Sequence, residues 1–112
     1  MTEPTVERRD RSYEIRVEAD VAGAAYYLDR GDQRIFHHTE IDPAFQGQGL
    51  SSTLIRAALD DTREAGLRIV PVCPAVSRYV NKHNSFEDIT DPVSSDLLTW
   101  LDTALARNSD ER

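Results

Sequence analysis

Cysteine is nearly absent: Cys73 is the only one in 112 residues. A lone thiol cannot close an internal disulfide, so no covalent framework holds this chain. No stretch approaches the ~20 apolar residues needed to span a bilayer. The N-terminal "MTEPTVERRDRSYE" has no apolar core and does not read as a secretory signal. The expected compartment is the cytoplasm. Cations are in deficit, with 13 Lys and Arg against 20 Asp and Glu and a net charge of −7. That balance argues against non-specific attachment to nucleic acid or an anionic membrane, where attraction to phosphate dominates affinity. It leaves room for a small anion held by local donors.

What is present suits one globular domain. A chain this long can bury roughly 60–70% of its unfolded surface, enough for one core. Hydrophobic residues at 39% against charged residues at 29% give the balance of a folded chain rather than a disordered one. Residues 1–11 are polar and charged and read as a flexible tail, which leaves 12–108 as the domain.

Along that domain, "YEIRVEAD" (13–20) alternates apolar Tyr13, Ile15 and Val17 with Glu14, Arg16 and Glu18, the pattern of a half-buried strand. "VAGAAYYLDR" (21–30) is a second strand, followed by a hairpin turn at "GDQ". "RIFHHTEI" (34–41) is the third, ended by Pro43, which cannot donate to a ladder. From Leu50 the period becomes helical: Leu50, Leu54, Ile55, Ala58 and Leu59 share a stripe, and Gly66 follows as a C-cap signal. "LRIVPVC" (67–73) is continuously apolar, as in a strand buried on both faces beside a parallel partner. A short helix fits 74–84, with Pro74 in its first turn. A last amphipathic helix fits 92–108, capped by Ser94 or Ser95, with Leu97, Leu98, Trp100, Leu101 and Leu105 as its stripe. The fold class is therefore α/β (α+β): an antiparallel meander joined to a βαβ crossover, with a C-terminal helix.

The joint between third strand and first helix, "QGQGLS" (46–51), combines two glycines with the start of a helix. A helix N-terminus offers free N–H groups and about half a positive charge, and glycine lets a phosphate come close to them. The spacing is neither GxGxxG nor a Walker loop. A turn that needs glycine for its geometry alone is the other reading of the same residues. The run Gln46-Gly47-Gln48-Gly49-Leu50-Ser51 resembles motif A of the GCN5-related N-acetyltransferases, Gln-x-x-Gly-x-[Gly/Ala], in the same place between strand and helix. "HTEIDPAFQGQGLSSTLIRAALD" with "VPVCPAVSRYVNKHNSFED" is similar to the small single-domain members of the YjdJ type, over about residues 12–89. Those members carry Pro-x-Cys at a strand end and then Arg-His-Pro-Glu-Tyr. Here Ser51 replaces the last small residue, and Lys82-His83-Asn84-Ser85-Phe86 replaces the second motif. The long helical region that builds the acceptor side in larger relatives has no counterpart in this pattern.

The resemblance implies a GCN5-related mixed sheet and an acetyl-CoA-dependent transfer of acetyl to an amine. Coenzyme A would rest its pyrophosphate on the N–H groups of Gln46, Gly47, Gln48, Gly49, Leu50 and Ser51. The pantetheine arm would run between the splayed strand ends near Ile41 and Cys73. Lys82 and His83 would lie near the cofactor, Lys82 adding charge beside its phosphates. An amine acceptor is the expected partner, without nucleic acid or membrane. A non-catalytic acyl-CoA-binding module is the alternative, and a small interaction domain is a third.

Three residues qualify for the chemistry. Cys73 could accept the acetyl group as a thiolate, or be an inert core residue. His38 is the usual base near pH 7; it could deprotonate the amine or activate Cys73 across the sheet. Glu40 shares the face of His38 by period two, while His37 points away. Superfamily members often use a glutamate on this strand. Tyr79, six residues after Cys73, matches the family's acid-bearing tyrosine only loosely in spacing. No metal site is expected, because no CxxC or HxxxH spacing exists and His37 and His38 diverge.

Overall fold

The computed structural model describes residues 3–110. Five strands form one sheet in the order β1-β2-β3-β4-β5: β1 Thr5–Arg8, β2 Ser12–Val17, β3 Asp20–Arg30, β4 Gln33–Ile41 and β5 Arg68–Pro71. The first four pair antiparallel, and β4 pairs β5 in parallel across helix α1 (Leu50–Glu64). This is the mixed sheet expected from the meander and crossover. Two helices follow, α2 Pro74–Lys82 and α3 Ser95–Asp110, with a 3₁₀ segment Asn84–Ile89 between them.

β1 corrects the reading of 1–11 as a tail; residues 1 and 2 lie outside the described residues. Thr5–Arg8 pairs with Tyr13–Arg16, and Val6 packs on the core. Its other side chains are polar, Glu7 and Arg8 charged, as suits an edge strand, where charge discourages further pairing. Glu7, Arg9, Glu14 and Arg16 interlink there at 3.0–3.6 Å. Such half-exposed pairs are worth little, so the ladder and Val6 hold the strand. The run 13–20 also divides: β2 ends at Val17, which pairs with Asp20 across a tight turn, with Glu18 at φ 58°.

One face of the sheet is covered by α1 and α2. The expected α1 stripe, Leu50, Leu54, Ile55, Ala58 and Leu59, is buried there with Tyr13, Ile15, Tyr27, Phe36, Ile69 and Val76. Thr62 joins the buried set by donating its hydroxyl to Ala58 C=O at 2.8 Å. On the other face α3 covers only the β4–β5 end, through Leu97 and Leu101 on Ile35 and Val70. Leu97 N–H donates to Ser94 Oγ at 3.1 Å, so Ser94 is the cap and the helix starts at Ser95 rather than 92. Leu98, placed on the stripe by sequence, is exposed. Among the described residues no helix covers the remainder of this second face.

Two irregularities shape β4. Tyr26 pairs with His38 but Tyr27 with Phe36, so His37 is an extra residue in a β-bulge. Before the bulge Phe36 faces the helices; after it Ile41 and Thr39 do, leaving His38 and Glu40 on the open face. The second irregularity is the parting of β4 from β5. Their pairing ends at Phe36↔Pro71, with one further link from Cys73 N–H to Phe36 C=O at 2.8 Å. Pro71 and Pro74 have no N–H to continue it, and Pro74 turns the chain into α2.

Candidate active site

The site begins at the glycine turn. Asp42 Oδ1 accepts from Ala44 N–H at 2.9 Å and starts a single 3₁₀ turn, Pro43–Phe45. Gln46 Nε2 then donates to Ile41 C=O at 3.3 Å, tying the turn to the end of β4. Gly47 and Gly49 take φ +84° and +72°, a region costly for residues with a Cβ. A Cβ on either would meet nothing within 4 Å, so backbone conformation rather than crowding calls for glycine. Gly49 is the N-cap of α1, with no side-chain cap and no acid in the first turn. The first N–H groups of a helix have no partner within it. Here they open onto a cavity of ≈ 290 Å³ lined by Ile41, Phe45, Gln46, Gly47, Gly49, Leu50 and Ser51.

Two further cavities adjoin this one through shared residues. Ser51 also lines a space of ≈ 330 Å³ under α2, with Ser52, Arg78, Tyr79, Lys82 and His83. Arg78 and Lys82 lie one helical turn apart, and neither pairs with a carboxylate among the described residues. Two unpaired cations side by side concentrate positive potential at this cavity. Arg78 was missed by sequence reasoning, although its spacing of four from Lys82 was a readable signal. His83 closes α2, its ring 4.4 Å from that of Tyr79. Ile41 in turn borders the third cavity, ≈ 320 Å³ on the open face, with Glu14, Tyr26, Glu40 and Asp42.

The sequence candidates for chemistry divide between the faces. Cys73 is buried, 4% exposed, at the N-terminus of α2. Its Sγ lies 3.4 Å from Thr39 Oγ1, a neighbour that only the strand register reveals. His38 is on the other face, so the idea that it activates Cys73 across the sheet is corrected: the bulge turns Thr39, not His38, toward the sulfur. His38 Nε2 lies 3.5 Å from Glu40 Oε2, and Tyr26 donates its hydroxyl to Glu40 Oε1 at 3.0 Å. Tyr26 also stacks on His38 at 5.8 Å and lies 6.5 Å from the His37 ring, so the expectation that His37 points away is corrected: the bulge brings both rings beside Tyr26. Burial lowers the pKa of His37, and the adjacent His38 adds to the shift. Burial, then the Glu40 hydrogen bond and charge, raises that of Tyr26. No cluster of three or more metal-ligating side chains occurs among the described residues.

A mixed sheet whose parallel strands part beside an uncapped glycine-bearing helix is the arrangement that the motif-A resemblance implied. The GCN5-related N-acetyl-transferase family model matches residues 12–89, and the chain belongs to that family. Protein NATD1 of Homo sapiens and of Bos taurus are each 29% identical to it over 79 residues, 69% of this chain and 70% of theirs. Among solved structures, a GCN5-like protein of Staphylococcus aureus superposes with a TM-score of 0.64 at 20% identity, over 85% of this chain and 95% of its own. The ribosomal-protein-S18-alanine N-acetyltransferase of Escherichia coli gives 0.54 at 17% identity, over 67% of this chain and 53% of its own. At those identities the two structures establish the fold.

Proposed function

We propose that the protein is an acetyl-CoA-dependent N-acetyltransferase that passes acetyl directly to an amine docked on the open face of its sheet. The observation that carries this reading is the series of three cavities, joined at Ser51 and at Ile41. Arg78 and Lys82 would take a phosphate of the cofactor, and the N–H groups from Gly47 to Ser51 its pyrophosphate. The arm would follow the edge of β4 that β5 leaves unpaired. The amine nitrogen then attacks the thioester carbon, its proton goes to Glu40, with His38 3.5 Å behind it, and the C–S bond breaks to release the thiolate. Glu40 is the better base because it lines the open cavity directly. Cys73 walls the wedge; no basic side chain bonds its sulfur among the described residues, which disfavours a covalent acetyl-Cys73 route. The compartment we propose is the cytoplasm.

The test is calorimetric titration of acetyl-CoA, with thermal melting beside it. Ligand at ~100 times its dissociation constant adds about 2.7 kcal/mol of stability. Binding that Gly49→Glu abolishes supports the reading; no binding at millimolar acetyl-CoA overturns it. The exposure of His38 and Glu40, 58% each, motivates a second reading as a non-catalytic acyl-CoA module, since a base in water gains little from its surroundings. That reading requires binding without turnover of any amine.

A further inference from the structure

Three candidates outside the cofactor seat invite interpretation: the exposed face of α3 around Leu98, the buried Arg34 with Asp29 and Tyr13, and Tyr26 beside Glu40. The first has nothing to show what covers it. In the second, Arg34 bonds Asp29 through Nε and Nη2 at 2.8 and 2.9 Å and Tyr13 Oη at 2.6 Å; every donor there serves the fold. Tyr26 is different, because its hydroxyl leaves the fold and reaches into the open-face cavity.

We infer that Tyr26 is a positioning residue: its hydroxyl holds the Glu40 carboxylate in place for proton transfer from the acceptor amine. This rests on the transferase reading above. Tyr26 is opposite His38 in the β3–β4 register, and Glu40 is the diagonal neighbour two residues on. A diagonal gap of roughly 7–8 Å between strands is within reach of an aromatic side chain. The 3.0 Å bond from Tyr26 Oη occupies Glu40 Oε1, while Oε2 faces His38 at 3.5 Å. Otherwise Glu40 is an exposed side chain with free rotamers, and fixing one costs entropy. The tyrosine supplies that order in advance, at the bulge that sends Glu40 to this face. Its hydroxyl stays protonated through the working range, because burial and Glu40 itself raise its pKa. The bond donates to the carboxylate and leaves its other lone pairs open for a proton.

The experiment is a double-mutant cycle on Tyr26→Phe and Glu40→Gln, reading thiol release from acetyl-CoA with ethylamine, putrescine and α-N-acetyl-lysine as acceptors. Acetyl-CoA binding and melting temperature are measured on every variant. The phenyl ring keeps the stack on His38 and removes only the hydroxyl. We expect Glu40→Gln to lower kcat by roughly 10²–10⁴-fold and Tyr26→Phe by roughly tenfold, the worth of one hydrogen bond to a charged group. Acetyl-CoA affinity should be unchanged in both. The double variant should be no slower than Glu40→Gln alone, because the tyrosine acts only through the glutamate. Additive losses, or an unimpaired Tyr26→Phe enzyme beside a crippled Glu40→Gln one, would overturn the inference and leave the transferase reading standing. Acetyl-CoA binding without turnover of any of the three amines would overturn both.

Discussion

Arg78→Ala separates a ligand-binding cation from a structural one. Arg78 is exposed on α2 and touches no carboxylate among the described residues. Its removal should therefore move apo stability by no more than ~0.5 kcal/mol. The sign should be slightly favourable, because a like charge four residues away, here Lys82, costs about 0.2–0.5 kcal/mol. The effect on the cofactor should be much larger. A hydrogen bond to a charged partner is worth about 1.5–3 kcal/mol, or about 10- to 150-fold in dissociation constant. The seat is open to solvent, so screening places the result at the low end, about tenfold at physiological salt. Calorimetry with acetyl-CoA reads the constant directly. Melting with and without a fixed saturating ligand concentration should lose about 1.4 kcal/mol of ligand-induced stabilisation. The salt dependence of binding should also flatten, since one phosphate contact has gone. An unchanged dissociation constant would refute the assignment of this cavity to a phosphate. A large fall in apo melting temperature would refute the claim that the side chain has no structural partner.

Three further outcomes can be stated. Gly23→Ala should destabilise the protein by about 1–3 kcal/mol, measured by urea unfolding, because the new Cβ would meet Glu40 C=O at 2.5 Å and Ile41 Cδ1 at 2.6 Å; an unaffected unfolding midpoint would refute it. Cys73→Ser should retain most of its amine-acetylating turnover, and loss of turnover with intact acetyl-CoA binding would restore the covalent route. The pKa of His37 is lowered by burial and by His38, so the unfolded chain takes up its proton first as pH falls. Its contribution to stability is full above about 6.5, the unfolded value, and is lost as pH falls from there toward the folded value. Urea midpoints at about pH 7.5 and about pH 5.5 should therefore differ, and His37→Gln should narrow the difference; equal differences in the two proteins would refute it.

Much of the architecture was legible because its signals are local. Leu50, Leu54, Ile55, Ala58 and Leu59 repeat at helical spacing and are all buried. Gly47 and Gly49 stand where the backbone takes positive φ. The parity of β4 correctly grouped His38 with Glu40, since both follow the bulge. Other features depend on what a residue meets across space. β1 carries charges that hide its single apolar contact, Val6. Leu98 fits the α3 stripe by spacing, but α3 covers only one end of the sheet and leaves it outside. The partnership of Cys73 with Thr39, and that of Glu40 with Tyr26, required the register of two strand pairs. The extra residue at His37 has no signature in residue type; it appears only when the strands are laid side by side.

That extra residue has a consequence for how this strand can change over evolutionary time. Inside and outside along β4 work as a two-state count, and His37 resets the count once. Residues before it are addressed in one phase and residues after it in the other. Substitutions in 37–41 alter one address at a time. A one-residue deletion at His37 removes the bulge itself: Phe36 and His38 become neighbours opposite Tyr27 and Tyr26, and Thr39, Glu40 and Ile41 keep their addresses, whereas a second inserted residue would send Glu40 to the apolar interior and Thr39 and Ile41 to water. In this segment the loss of one residue should therefore be tolerated better than the gain of one, and homologues should lack the extra residue more often than they carry a second.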